Sequence, residues 1–404
     1  MIQWRRGRVV SVRGEWSGAL ELDVDVEPGV EPGVDTAEPP EGEPGQEPGQ
    51  QRVPALAHPA LVGRPGPGDV VLLNTTALER GLGTGGYALV VAVPDRLPED
   101  PAADGGHLVK ARYTPLQAMV AGVDEQGSAH HEVLRDADDL AGTPVVVADL
   151  HSALPAVVAG IRAARPGARV VYVMTDGGAL PAWFSRTLAG LREAGWLAAC
   201  ITAGQAFGGD LEAVTVHSAL LAAHLVVGAD VAVVAQGPGN LGTGTRWGFS
   251  GVAAGGALDA AAVLRGRPVA ALRVSQADPR PRHRGVSHHS LTAYGRAALA
   301  PADVVVPDLG GELGLLVRRQ ASDLGPPTGR HRLVHVGVEG LRAALDLVPV
   351  RLSTMGRGVD ADEAAFLSAA AAGRHAATLL PPAPRPAPPR PAPPRPAPPA
   401  PPVE

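Results

Sequence analysis

Cysteine is almost missing: the 404 residues contain one, Cys200. That excludes a disulfide framework and a cysteine-rich zinc site. Cys200 lies in the apolar run Trp196-Leu197-Ala198-Ala199-Cys200-Ile201 and reads as a buried structural thiol. Aromatic residues make up only 3% of the chain, so a nucleic-acid surface of basic side chains interleaved with stacking rings has little to draw on. Lys110 is the only lysine; every other basic side chain is arginine. Long apolar runs are lacking too. The most apolar stretch, Ala213 to Ala235, is broken by His217, His224 and Asp230 and reads as a helix followed by a strand, so no membrane span is expected. The basic start Met1-Ile2-Gln3-Trp4-Arg5-Arg6 is followed by no apolar stretch of the kind a secretory signal needs, and a cytoplasmic protein is expected.

Glycine and proline are plentiful, at 51 and 41, yet 45% of residues are apolar, so any disorder must be local. Fourteen prolines lie in the last 24 residues and seven more between Glu27 and Pro54. The net charge of −6 is also local. Gly14 to Gln51 holds eleven acids and no Lys or Arg, which leaves 30 acids against 35 basic residues elsewhere. No overall field then draws the protein to nucleic acid or to an anionic membrane.

Residues 1–95 read as a small β-barrel of SH3 or OB type. Its strands alternate as in Arg8-Val9-Val10-Ser11-Val12 and Leu20-Glu21-Leu22-Asp23-Val24-Asp25-Val26. A hairpin through Glu15–Gly18 joins the first two, and strands resume at Pro54–Ala57, Asp69–Leu73 and Tyr87–Val93. Glu-Pro-Gly repeats make 27–51 an acidic insertion expected to be disordered. After a connector, 96–142, the pattern changes. Over 143–376, continuous apolar strands (Val145–Ala148, Arg169–Met174, Leu197–Thr202, Val231–Ala235, Val269–Val274, Val304–Val306, Leu333–Val336) alternate with helical segments, among them Leu211–Val227. Strands apolar throughout are buried on both faces, which implies a Rossmann-like α/β fold with a mainly parallel, doubly wound sheet. Residues 377–404 form a Pro-rich tail, expected to stay disordered and polyproline-like.

Ligands of such sheets bind outside the carboxyl ends of the strands, so the residues that follow each strand are the informative ones. Asp149 and His151 form an Asp-x-His pair whose side chains point the same way if the chain is extended there, as a metal or a base with its orienting carboxylate requires. Asp176 and Asp210, after the next two strands, would add oxygen ligands for a divalent metal. Each of these acids has an ordinary use as a helix cap. Arg282, Arg284 and His288, in Arg282-His283-Arg284-Gly285-Val286-Ser287-His288-His289-Ser290, would supply guanidiniums for an anion and an imidazole for catalysis. His288 and His289 face opposite sides in a strand, whereas in a helix both can lean toward a site. The loop Gly237-Pro238-Gly239-Asn240-Leu241-Gly242-Thr243-Gly244-Thr245 matches G-x-G-x-x-G, a spacing that lets backbone amides approach a phosphate. Gly237, Gly239, Asn240, Gly242, Thr243, Gly244 and Thr245 are therefore anion-binding candidates, with glycine as a plain turn-former the competing use.

The runs Leu82-Gly83-Thr84-Gly85-Gly86-Tyr87, Val109-Lys110-Ala111-Arg112-Tyr113-Thr114-Pro115, Gly204-Gln205-Ala206-Phe207-Gly208-Gly209-Asp210 and Asp278-Pro279-Arg280-Pro281-Arg282-His283 carry a resemblance. Through them the chain resembles an uncharacterised bacterial family, domain of unknown function 3866, over about residues 1–375. The resemblance implies a shared architecture and supplies no catalytic residues. Three functions stay open: a metal-assisted hydrolase of a small phosphate or carboxylate ester, a non-catalytic nucleotide or metabolite-binding protein, and a nucleic-acid-binding protein. If proline marks expendable segments, deleting most of the acidic insertion and the Pro-rich tail leaves a single cooperative urea transition; its loss would refute the assignment.

Overall fold

The computed structural model describes residues 2–28, 51–81, 85–100 and 106–382. Nearly all of the acidic insertion and of the Pro-rich tail, and the Leu82-Gly83-Thr84 run, lie outside the described residues.

Strands β1 (Trp4–Trp16), β2 (Ala19–Val26), β3 (Gln51–Ala57), β4 (Val70–Asn74) and β5 (Ala88–Ala92) close into a barrel in the order β1-β2-β3-β5-β4. Alternation does the sorting: Leu20, Leu22, Val24 and Val26 point inward and are buried, while the acids between them meet solvent. Short helices α1 (Pro59–Val62) and α2 (Thr76–Glu79) connect β3 to β4 and β4 to β5. A two-stranded unit, β6 (Leu108–Lys110) with β7 (Ala118–Val120), and helix α3 (His131–Leu134) lead to the main sheet.

That sheet has eight strands: β8 (Pro144–Val147), β9 (Val170–Thr175), β10 (Ala199–Ala203), β11 (Leu211–Ala213), β12 (Val231–Gln236), β13 (Arg267–Ala271), β16 (Asp303–Asp308) and β17 (Arg332–Gly337). They run in the order β11-β10-β9-β12-β8-β13-β16-β17, with every pairing parallel. The seven apolar runs all became strands. One segment differs: Leu211–Ala213, expected as the start of a helix, is the edge strand β11. The helix α6 (Val216–Leu225) begins only after Thr215, whose hydroxyl accepts from the Ser218 amide in a capping box. Leu-Glu-Ala suits either state, and pairing with β10 decides it.

Helices cover both faces. On one, α6 and α7 (Ala254–Val263) share a core with the excursion between β13 and β16; on the other lie α4 (Leu154–Ala164), α5 (Arg186–Glu193), α10 (Leu341–Asp346) and α11 (Glu363–Thr378). Within that excursion β14 (Val274–Ser275) pairs with β15 (Gly285–Val286), followed by α8 (His288–Thr292); α9 (Gly311–Ala321) comes after β16. The chain leaves β8 through α4 toward β9 and leaves β12 through α7 toward β13, so neighbouring strands send their connections in opposite directions on opposite faces. This reversal opens a crevice at the carboxyl ends of β8 and β12.

Helices α4 and α11 touch backbone to backbone. A Cβ on Gly160 would lie 1.9 Å from the Ala370 carbonyl oxygen, and one on Gly373 would lie 1.9 Å from that of Val157. Both neighbours are backbone, so neither can rotate aside. Gly160→Ala or Gly373→Ala is expected to cost about 1–3 kcal/mol, read as a lower urea midpoint; an unchanged midpoint would refute the close crossing.

Candidate functional site

Asp149 lies two residues past the end of β8 and is buried, because the strand before it lies between two helical layers. Its carbonyl accepts from Gln236 Nε2 (2.8 Å) at the end of β12, and the same amide group donates to Asn240 Oδ1 (2.9 Å). The two central strand ends are thus joined through one side chain. The glycine-rich loop folds back on itself. Gly237, Leu241 and Thr243 donate their amides to Thr175, to the Ser250 hydroxyl and to Gly248, and Gly239 and Gly244 adopt positive φ. Several amides that could have met a phosphate therefore serve the loop's own geometry. Thr243 and Thr245 hydroxyls also pair with each other (3.2 Å).

The excursion after β13 brings Arg273 and His289 to Asp149, with His283 and His288 beside His289. Tyr294, fully buried, donates to the carbonyls of Val147 and Ala271 (both 3.1 Å) and so holds the excursion over the ends of β8 and β13. Arg273 is clamped by its backbone: its amide donates to Ser290 Oγ (2.9 Å) and its carbonyl accepts from Ser287. Helix α8 starts at His288, with Ser287 as N-cap, so both histidines lean inward, the helical of the two geometries the sequence allowed. His283 meets them from the turn before β15, its Nδ1 2.8 Å from Ser287 Oγ. One ring atom from each of His283, His288 and His289 lies within 4.8 Å of the others. Phe249 stacks flat on His289, centroids 3.9 Å apart.

Charge is poorly compensated here. The Asp149 carboxylate oxygen Oδ2 is 4.0 Å from both Arg273 Nη1 and His289 Nδ1, accepts no hydrogen bond and is buried; His288 Nε2 is likewise buried with no partner. Arg273 Nη1 instead donates to His289 Nδ1 (3.1 Å). Buried polar atoms left unpaired are rare in native proteins and cost free energy. Burial raises the Asp149 pKa, with Arg273 opposing. Burial, then Arg273 and Arg280, bring His283 down to about 4, and burial with Arg273 brings His289 to about 3. Burial, followed by Arg282, lowers His288. Each of these shifts favours the neutral ring, the form in which imidazole binds a metal. Nearby, Asp278 is held far below the carboxylate range by its hydrogen bonds from Arg280. Asp362, buried, accepts from Ser275, Gln276 and Arg357, which fixes β14 to the start of α11.

Of the residues singled out in the sequence, Asp149 and His288 come together, flanked by Asn240; Arg282 and Arg284 are exposed at the rim. His151 does not join them. A 3-10 turn, His151–Ala153, ends the extended geometry that would have aligned it with Asp149, and its ring meets Ser185 Oγ (2.7 Å) and Tyr172 OH (3.0 Å) instead. Asp176 accepts from the Gln205 amide (2.8 Å), and Asp210 accepts from the Cys200 amide (2.7 Å) and from Arg192 (2.8 Å). Both acids organise the β10–β11 loop, so the four expected metal ligands do not converge. The arrangement instead adds Arg273, His283, His289 and Phe249. His283 and His289 were visible in the histidine run; Arg273 carried no signal, because the sequence places it inside the expected strand Val269–Val274, whereas β13 ends at Ala271. The β10–β11 loop also rests on Lys110, whose buried ammonium donates to the carbonyls of Gly204, Ala206 and Ala213 (2.8, 2.9 and 3.2 Å) and lies 3.4 Å from Glu212.

Eight parallel strands wound in two directions about a polar crevice define a Rossmann-like α/β protein carrying an N-terminal barrel. The chain belongs to the family described as Protein of unknown function (DUF3866), whose model matches residues 54–373. The match runs from within β3 to within α11 and so includes the whole parallel sheet and the histidine cluster. No curated protein and no solved structure matches the chain. No helix among the described residues is long and apolar enough to cross a membrane. Lys110→Met would leave Glu212 and three carbonyls buried without their partner, at an expected cost of about 3–5 kcal/mol in urea unfolding; a shift of a few tenths would refute the anchor.

Proposed function

We propose that the protein is a metal-assisted hydrolase acting on a small anionic phosphate or carboxylate ester in the crevice beside Asp149. The observation that carries this reading is the convergence of three imidazoles, His283, His288 and His289, beside the buried Asp149 carboxylate and the half-buried Arg273. Three imidazole nitrogens would suit a zinc-like divalent ion, which would lower the pKa of a bound water and polarise the ester.

The chain's own groups would divide the remaining work. Asp149 would accept the Nδ1–H of His289 and so turn its Nε2 toward the ion, the usual partnership of carboxylate and metal-bound imidazole. Arg273, released from His289, would pair with the substrate anion, with Arg282 and Arg284 attracting it from the rim and the Gly237–Thr245 loop flanking it. Phe249, flat against His289, would hold that ring in plane and keep water from its face. The test is metal content together with turnover. Metal-stripped protein is expected to take up one zinc or cobalt per chain, to hydrolyse p-nitrophenyl phosphate or a carboxylate ester only when loaded, and to lose both properties on His288→Ala plus His289→Ala. Full metal uptake by that variant would overturn the reading.

A further inference from the structure

His151, parted from Asp149, sits in a hydrogen-bond chain in which each proton can be placed. Tyr172 OH donates to the carbonyls of Gln236 (3.0 Å) and Ala235 (3.2 Å), so its oxygen can only accept from the ring, and His151 Nδ1 must carry the hydrogen. In the neutral ring Nε2 then bears the lone pair, and the contact to Ser185 at 2.7 Å is an O–H donation from the serine. Burial holds His151 down to about 4, so the ring is neutral at pH 7. Ser185 is also the N-cap of α5, where its Oγ accepts from the Leu188 amide (3.0 Å). A hydroxyl donating to an imidazole that is itself oriented by a third group is the arrangement of a serine nucleophile with its base.

Ser185 also lines a cleft between the barrel and the sheet, walled by Trp16, Gly18, Trp183, Leu188 and Gly208. Trp16 Nε1 donates to the Trp183 carbonyl (2.7 Å), which ties the two units together at this wall. Gly18 (φ +78°) and Gly208 (φ +84°) pack on the Trp183 ring, where a Cβ would lie 2.2 and 2.5 Å from its atoms. The charged groups of the cleft are Arg192, paired with Asp210 (2.8 Å), Glu15, paired with Arg64, and Glu193. The cleft therefore offers aromatic and glycine surface where the histidine crevice offers uncompensated arginine.

We propose that Ser185 and His151 form the nucleophile and base of a second site, separate from the metal reading, that accepts short uncharged carboxylic esters. Ser185 Oγ bonds to the ester carbonyl carbon as its proton passes to His151 Nε2. The carbon–oxygen bond to the alcohol breaks, and the alcohol leaves with that proton. Water then attacks the acyl-serine, giving one proton to His151, which returns it to Ser185 Oγ as the acid departs. Of the first-turn amides of α5, that of Leu188 is taken by Ser185 Oγ and that of Ala189 by the Ser185 carbonyl, which leaves those of Arg186 and Thr187, beside Ser185, for the oxyanion. Tyr172 positions the base and touches no substrate.

The test is covalent labelling of the intact protein with an alkyl fluorophosphonate, mapped by peptide mass spectrometry. Folded wild-type protein is expected to gain its adduct on Ser185, to lose it when unfolded in urea before labelling, and to label equally with zinc or with chelator. His151→Gln, checked for native circular dichroism, is expected to slow labelling by about 100-fold. No adduct on Ser185, equal labelling of unfolded chain, or an unchanged rate in a folded His151→Gln would overturn the proposal. Because the probe needs no metal, failure here and failure of metal uptake are separate outcomes.

Discussion

Burial on both faces of β8 and β12 is the constraint from which the rest follows. A strand enclosed between two helical layers carries apolar side chains along its length, so Pro144–Val147 and Val231–Gln236 are buried throughout and apolar up to the terminal Gln236. Polar groups are left to the strand ends. Because the two strands are neighbours with oppositely directed connections, their ends cannot be covered by either crossover helix. The ends are roofed instead by the excursion after β13, which Tyr294 fastens to the main-chain carbonyls of Val147 and Ala271.

This arrangement concentrates electrostatic cost in a small volume. Asp362 and Asp278 satisfy their charges with arginines and backbone amides, whereas Asp149, equally buried, meets Arg273 only at 4.0 Å. The contrast lies within one roof of one fold, so general strain does not account for it. Groups that stay unpaired beside groups that are paired mark where the structure gives up stability, and such places are commonly functional.

The sheet was legible in the sequence because double burial writes itself as unbroken Val, Ala and Ile runs, and the barrel because single-faced burial writes itself as alternation. Both signals are local. The site was legible only where its residues lie close in sequence, as Asp149 does to β8 and His288 to His289. Arg273 reaches Asp149 from a strand later in the chain, and Ser185 meets His151 across 34 residues, contacts that depend on strand order. That order placed β12 between β9 and β8, which no local pattern encodes. Asp176 and Asp210 misled for a related reason: an acid after a strand looks the same whether it faces a ligand or a loop amide. The helix expected over Leu211–Val227 formed from Val216 onward, and only its start became a strand, because an edge-strand partner outweighed weak propensity.

The placement of Lys110 bears on how this protein can be modified and handled. As the only lysine, and one whose ammonium is enclosed by three carbonyls and Glu212, it leaves the folded chain with no side-chain amine at its surface. Acetylation, amine-directed cross-linking and dye attachment then find no exposed side-chain amine in these 404 residues. An amine-reactive reagent would report on this fold as few proteins allow, because side-chain reaction would register the opening of a single buried anchor.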